Sequence, residues 1–311
     1  MRHRFAQSAW TVLAFNLLVI LWGALVRASH SGEGCADRWP LCNGTLIPHA
    51  AEIATLIEFT HRVSTGIAFL SVVAMAIWAF HSFRSEPVFR SAVASLGFLI
   101  AEALLGAGLV LFRYTGTNAT AGRAIYLAAH LANTLALLAA LTLTAWWASG
   151  HRRIQWMNPQ ARALGWVIVA AILTAITGSI TALSDTLFPH ASLNAGLAAD
   201  FSFASPILLR LRVLHPFIAS AAGMFIAITA ARFRGQSRFA DAVITLVMLQ
   251  IAAGGLNLVL LAPVWMQIVH LLIADLLWIA LILLSASLLE QSLASGPSAE
   301  LETFEIAEGK L

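Results

Sequence analysis

The sequence predicts an all-α integral membrane protein whose eight transmembrane helices form two pseudo-symmetric four-helix bundles. Three observations lead to this fold class. Apolar runs of about 20 residues recur along the chain, as membrane-spanning helices require. Only 11% of the 311 residues are charged, against roughly 25% in soluble proteins. Motifs of the first half recur in the same order in the second half, which indicates an internal repeat.

Eight apolar segments are interpreted as spans, separated by connections that contain Pro, Gly or Arg. Their predicted ranges are 9–27, 57–81, 89–111, 124–148, 161–183, 208–232, 240–261 and 264–288. The first four spans are predicted to form an N-terminal bundle within residues 1–150, and the last four a C-terminal bundle within residues 151–290. Residues 291–311, which contain four glutamates, are predicted to be an acidic cytoplasmic tail.

Arginines are more frequent at the N-terminus and in the connections after the even-numbered spans than on the other side. By the positive-inside rule, this bias predicts that both termini are cytoplasmic. The long connections 28–56 and 184–207 then lie outside. Arginines at loops and helix ends also account for the formal charge of +3, so no nucleic-acid partner is predicted.

The two cysteines, Cys35 and Cys42, lie in the first of these outer connections. Their spacing suits a small loop closed by a disulfide, and an extracytoplasmic compartment is oxidising. The bond is open to two interpretations at this point, a structural staple or a redox function.

Histidines occupy equivalent positions in the two halves. His61 and His130 lie in spans two and four, and they recur as His215 and His270 in spans six and eight. The topology places each histidine one to two turns below the outer surface. One such histidine is usually a core residue that has found a partner, but four at one depth, with two in each bundle, indicate ligands.

Two facing imidazoles inside a four-helix bundle are the arrangement that holds a heme through its iron. Zinc is less suitable, because it takes three or four nitrogen or sulfur ligands and each bundle supplies two histidines. Arginines at the rim of the bundles are candidates to bind heme propionates. They are Arg62, Arg123 and Arg212.

The halves differ in their carboxylates. Glu58 has no acidic counterpart in span six. At the position in span seven that is equivalent to Glu102, the residue is Gln250. The second bundle therefore resembles a plain bis-histidine site for electron transfer. In the first, Glu58 is positioned to move protons or to stabilise a cationic intermediate, although it could equally be neutralised by Arg62.

Two motifs resemble those of the heme A synthase family. Gly-Glu-Gly-Cys at 32–35 with Trp-Pro-Leu-Cys-Asn-Gly at 39–44 forms the first, and Glu-Phe-Thr-His-Arg at 58–62 forms the second. The resemblance is to the bacterial branch that carries the extracytoplasmic cysteine pair. It extends, through the eight spans and the remaining histidines, over the whole membrane part.

The resemblance implies an enzyme that oxidises the C8 methyl group of heme O to a formyl group, by successive hydroxylations and loss of water. It implies that the substrate heme O and the product heme A bind between His61 and His130. Heme b would be held between His215 and His270. Glu58 matches an essential glutamate of the family, and the cysteines are associated with the transfer of reducing equivalents. The implied location is the bacterial cytoplasmic membrane.

A di-heme b-type membrane cytochrome for electron transfer is the alternative function, and Glu58 and the cysteine loop favour the enzyme over it. A transporter is disfavoured, because no span is interrupted near its centre. Expected partners are membrane lipid, a heme O synthase and an electron acceptor. Self-association is compatible with the apolar composition, and no motif fixes a number of subunits.

Overall fold

The computed structural model describes residues 1–36, 39–48, 52–155, 157 and 159–290. In this part of the chain eight helical segments are long and apolar enough to cross a membrane by length and composition, which confirms the predicted fold class. The predicted acidic tail, residues 291–311, lies outside the described residues.

The first half contains four long helices: α1 (Arg2–Ala28), α2 (Ile53–Phe83), α3 (Pro87–Leu111) and α4 (Ala121–Ala148). Helix α3 begins with Pro87, whose missing N–H costs nothing at a helix start. The hydroxyl of Thr120 caps α4 by accepting a bond from the backbone N–H of Arg123. Helices α1 and α3 each pack on both α2 and α4, so the four helices form a closed bundle.

The second half contains α5 (Gln160–Leu187), α6 (Leu193–Asp200), α7 (Ile207–Leu211), α8 (Leu214–Ala231), α9 (Phe239–Val259) and α10 (Val264–Leu288). Helix α8 packs on α5 and α9, and α10 packs on α9 and α5. The short helix α6 lies in the predicted connection 184–207, in which the sequence shows no recognisable motif. Its first turn is capped by Ser192, whose hydroxyl accepts a bond from the N–H of Ala195.

The sixth predicted span, 208–232, is divided into α7 and α8 at Arg212 and Val213. Pro216 explains the division. It has no N–H to donate to the carbonyl of Arg212, and its ring crowds that carbonyl. The N–H of His215 bonds the Arg212 carbonyl instead, at 3.4 Å. The first predicted span also differs, because α1 begins at Arg2, whose side chain bonds the carbonyls of Trp147 and Ala148.

The two halves share a hydrophobic core. Helix α4 packs on α5 and α10, and α1 packs on α10. Trp278 of α10 lies among core residues of α1, α3 and α4, and its indole N–H donates to the carbonyl of Leu135 at 2.8 Å. Arg27 of α1 reaches across to α5, where its guanidinium donates to the carbonyl of Ala182 and the hydroxyl of Thr186, both at 2.7 Å.

Candidate functional site

Each of the four histidines that recur between the halves lies near a glycine of a neighbouring helix. At Gly23, Gly178 and Gly254 a Cβ would crowd the imidazole, so its absence makes room for the ring, whereas at Gly106 a Cβ would be at ordinary contact distance. The pairs, with the shortest distance from a Cβ built on the glycine to the ring, are Gly23–His61 at 3.0 Å, Gly106–His130 at 4.0 Å, Gly178–His215 at 3.0 Å and Gly254–His270 at 3.1 Å.

The imidazoles are paired within each half. His61 and His130 are close enough to interact electrostatically, and so are His215 and His270. Among the described residues, the Nδ1 atoms of His61, His130 and His270 are buried without a hydrogen-bond partner. Buried polar atoms usually have partners, so these rings lie where they are expected to bind a further group.

The donor set fits a heme. In the part of the chain that the structure describes, no group of three or more His, Cys, Asp or Glu side chains could hold a bare metal ion. Two imidazoles in an apolar four-helix bundle are instead suited to the axial ligation of heme iron.

Glu58 is the centre of a polar cluster above His61. The carboxylate is buried, with 4% of its surface exposed. Its Oε1 accepts bonds from Arg62 Nε at 3.1 Å and Nη2 at 2.5 Å, and its Oε2 accepts the backbone N–H of Cys35 at 2.9 Å. Arg62 Nη1 also donates to the carbonyl of Leu41 at 2.9 Å. The Glu58–Arg62 pair therefore holds the cysteine loop at two points.

Cys35 and Cys42 form a disulfide, which confirms the prediction. The loop lies directly on the start of α2, because a Cβ on Gly34 would be 2.5 Å from the carbonyl oxygen of Ala54. Only glycine fits this close approach of two backbones. The hydroxyl of Thr55 donates to the carbonyl of Gly34 at 2.8 Å, so the loop is fixed just above Glu58.

Glu102 is a site residue that the sequence identified only as a difference between the halves. Its Oε1 lies 3.3 Å from His130 Nδ1. In the second half Gln250 takes the corresponding place, with its Nε2 3.2 Å from His270 Nε2. Each half therefore sets a polar side chain of its third span against the histidine of its fourth span.

The candidate rim arginines are bonded to protein groups. Arg123 donates to the carbonyls of Gly116 at 2.7 Å and Asn118 at 2.9 Å. Arg212 forms ion pairs with Asp185 at 3.0 Å and Asp200 at 2.6 Å. The predicted connection 184–207, to which no role was assigned from sequence, thus supplies two carboxylates to Arg212.

Fold and site together define a class of protein, a polytopic helical membrane protein in which two histidines near glycines recur in each half. One copy of the site carries a buried carboxylate and a disulfide loop.

A profile of the cytochrome oxidase assembly protein family (COX15-CtaA) matches residues 6–282. The chain belongs to this family, and the resemblance inferred from its motifs is confirmed.

Individual proteins agree with this membership. A Thermus thermophilus protein named protoheme IX farnesyltransferase is 44% identical over 297 residues, which cover 93% of this chain and 49% of that protein. The chain therefore spans about half the length of this relative. The heme A synthase of Shouchella clausii is 46% identical over 97 residues, 31% of this chain and 32% of its own length. The heme A synthase of Halalkalibacterium halodurans is 39% identical over 114 residues, 35% of this chain and 38% of its own.

Proposed function

We propose that the protein is a heme A synthase, an oxidoreductase that converts the C8 methyl group of heme O to a formyl group. Family membership and the relatives named heme A synthase support this assignment. The observation that carries it is the asymmetry of the duplicated site. In the described residues, Glu58 stands three residues before His61 on α2 and is held by an arginine and by the disulfide loop, whereas the residue three positions before His215 is Arg212.

The first histidine pair is the proposed substrate site. His61 and His130 would hold the iron of heme O, and Arg62 would bind a propionate. Oxidation of a methyl group releases protons and electrons, so the site needs a proton acceptor close to the carbon that reacts. Glu58 is the group proposed for this role, since its carboxylate is fixed by Arg62 and by the N–H of Cys35 and so needs little reorganisation.

The second histidine pair is the proposed site of a permanent heme b, held by His215 and His270. When bound, this heme supplies reversible one-electron transfer. The chain's own groups orient the ligands: the hydroxyl of Thr177 lies 3.1 Å from His215 Nδ1, and Gln250 contacts His270. Both are neutral, which suits a site that carries electrons and leaves the heme periphery unchanged.

The cysteine pair is the proposed acceptor of reducing equivalents at the outer surface. Conversion of a methyl to a formyl group is a four-electron oxidation, whereas a disulfide takes up two electrons and two protons to become two thiols. Each formyl group would therefore require two reductions of the disulfide, with reoxidation by the separate electron acceptor between them. Because the N–H of Cys35 bonds Glu58, protons released at the carboxylate have a short path to the loop. In this proposal Glu58 accepts protons, and Cys35 and Cys42 accept reducing equivalents.

The proposed setting is the bacterial cytoplasmic membrane, with both termini in the cytoplasm, residues 1–150 forming the substrate bundle and residues 151–290 the heme b bundle. A heme O synthase is the proposed partner. The support is the Thermus relative, a protein about twice as long as the matched region and named for farnesyl transfer to protoheme IX. Membrane lipid surrounds the apolar helices, and a separate electron acceptor completes the reaction.

Expression of the full chain in bacteria that make heme O but no heme A tests this function. We expect heme A in the extracted pigments of these cells and none in cells that carry the empty vector. Cells that express the His61→Ala variant are the matched control, because the second site is retained. Heme O that stays unconverted by a folded, heme-loaded wild-type protein would contradict the proposal.

A further inference from the structure

Glu102 is at the centre of a second polar cluster, formed by α3 and α4 of the first bundle. Its Oε2 accepts a bond from Asn133 Nδ2 at 2.5 Å, and its Oε1 contacts the hydroxyl of Thr134. Asn133 also donates to the carbonyl of Phe98 at 2.9 Å. The carboxylate is therefore fixed in one position, with 15% of its side-chain surface exposed.

This fixed carboxylate faces one nitrogen of His130. The distance from Oε1 to His130 Nδ1 is 3.3 Å, and Nδ1 has no aligned hydrogen-bond partner in the described residues. A neutral imidazole that binds a metal through Nε2 carries its proton on Nδ1, and that N–H needs an acceptor when it is buried. Oε1 of Glu102 is close enough to accept this bond after a small rotation of the ring.

The second site places a neutral group of its third span against the histidine of its fourth span, at Nε2 rather than Nδ1 of the ring. Gln250 of α9 lies against His270, with 3.2 Å between Gln250 Nε2 and His270 Nε2. An amide at this position can satisfy a polar atom but contributes no charge. The two sites thus present a carboxylate to one histidine and an amide to the other.

We propose that Glu102 is a positioning residue that accepts a hydrogen bond from His130 Nδ1 and makes this imidazole the more basic of the proposed iron ligands. The inference rests on the proposed function, because it assigns His130 as a ligand of the substrate heme. A carboxylate bonded to a ligand histidine fixes its tautomer and raises its basicity. The added negative charge stabilises ferric over ferrous iron, so Glu102 lowers the potential of the heme at the first site. Gln250 leaves the second heme at a higher potential.

Redox titration of the purified full-length protein tests this assignment, with the variants Glu102→Gln and Gln250→Glu. Optical spectra recorded during the titration resolve the two heme components. We expect Glu102→Gln to shift one component to higher potential and to leave the other unchanged. Gln250→Glu is expected to lower the potential of the other component. If Glu102 only joined α3 to α4, the Glu102→Gln variant would lose thermal stability, but the potential of one heme would not shift selectively.

If both heme potentials of the Glu102→Gln variant equal the wild-type values, the assignment is overturned. An equal shift of both potentials would also overturn it. If the Glu102→Gln variant loses its heme, the Gln250→Glu variant decides: an unchanged second potential refutes the inference. Pigment extraction from the wild type tests the proposed function independently of this inference. Two molecules of heme b per chain would remove heme O as substrate, whereas the selective shift needs only an iron porphyrin in each site.

Discussion

Two consecutive glycines of α9 give a matched test of the histidine sites. A Cβ on Gly254 would lie 3.1 Å from His270 Cε1, whereas a Cβ on Gly255 would meet nothing within 4 Å. Both substitutions to alanine gain about 1 kcal/mol of helix propensity. At Gly254 the extra methyl group also overpacks the site, which costs about 1–3 kcal/mol, because carbon atoms prefer a separation of roughly 3.5–4 Å. The expected net effect is a loss of up to about 2 kcal/mol for Gly254→Ala and a small gain for Gly255→Ala.

The assay is heme retention by the two variants, with thermal unfolding in detergent as the second measurement. A displaced His270 weakens one axial bond, and about 1.4 kcal/mol corresponds to a tenfold loss of heme affinity. We expect Gly254→Ala to lose heme from one site and to show a changed spectrum, and Gly255→Ala to match the wild type in both. Equal heme content in the two variants would refute the reasoning that the glycines make room for ligand histidines.

Three further substitutions test other contacts. Glu58→Gln keeps the size of the side chain but removes its negative charge, so we expect bound heme O without conversion to heme A; conversion at the normal rate would exclude a catalytic role. Replacement of both Cys35 and Cys42 by serine should lower the free energy of unfolding by about 2–3 kcal/mol through the lost loop closure, and an unchanged melting temperature would argue against this. Trp278→Phe removes the hydrogen bond to the Leu135 carbonyl and should lower the free energy of unfolding by about 1 kcal/mol. Thermal unfolding measures this change, and an unchanged stability would count against a structural role of the bond.

Much of the architecture could be predicted because it depends on patterns that are local in sequence. Long apolar runs identified the spans, and the recurrence of His61 as His215 identified the repeat. The Cys35–Cys42 bond followed from spacing and compartment. The break between α7 and α8 was also present in the sequence as Pro216, but a proline near a helix start is compatible with either a kink or an interruption, and packing decides between them.

The contacts that complete the site depend on residues far apart in the chain. The glycine at each histidine comes from another helix, so its partner is known only once the helices are packed. The same holds for Glu102 and His130, on α3 and α4. Arg212 was considered a propionate partner, and its pairing with Asp185 and Asp200 depends on the fold of a connection that carries no recognisable pattern.

The central claim, that one histidine pair holds a substrate heme and the other a permanent heme b, is tested most directly by the pigments of the purified protein. The protein would be isolated from cells that make heme O, and its hemes extracted, separated by chromatography and counted per chain. We predict heme b together with heme O and heme A, and one heme b per chain. Two molecules of heme b per chain, with neither heme O nor heme A, would contradict the account and indicate a di-heme cytochrome.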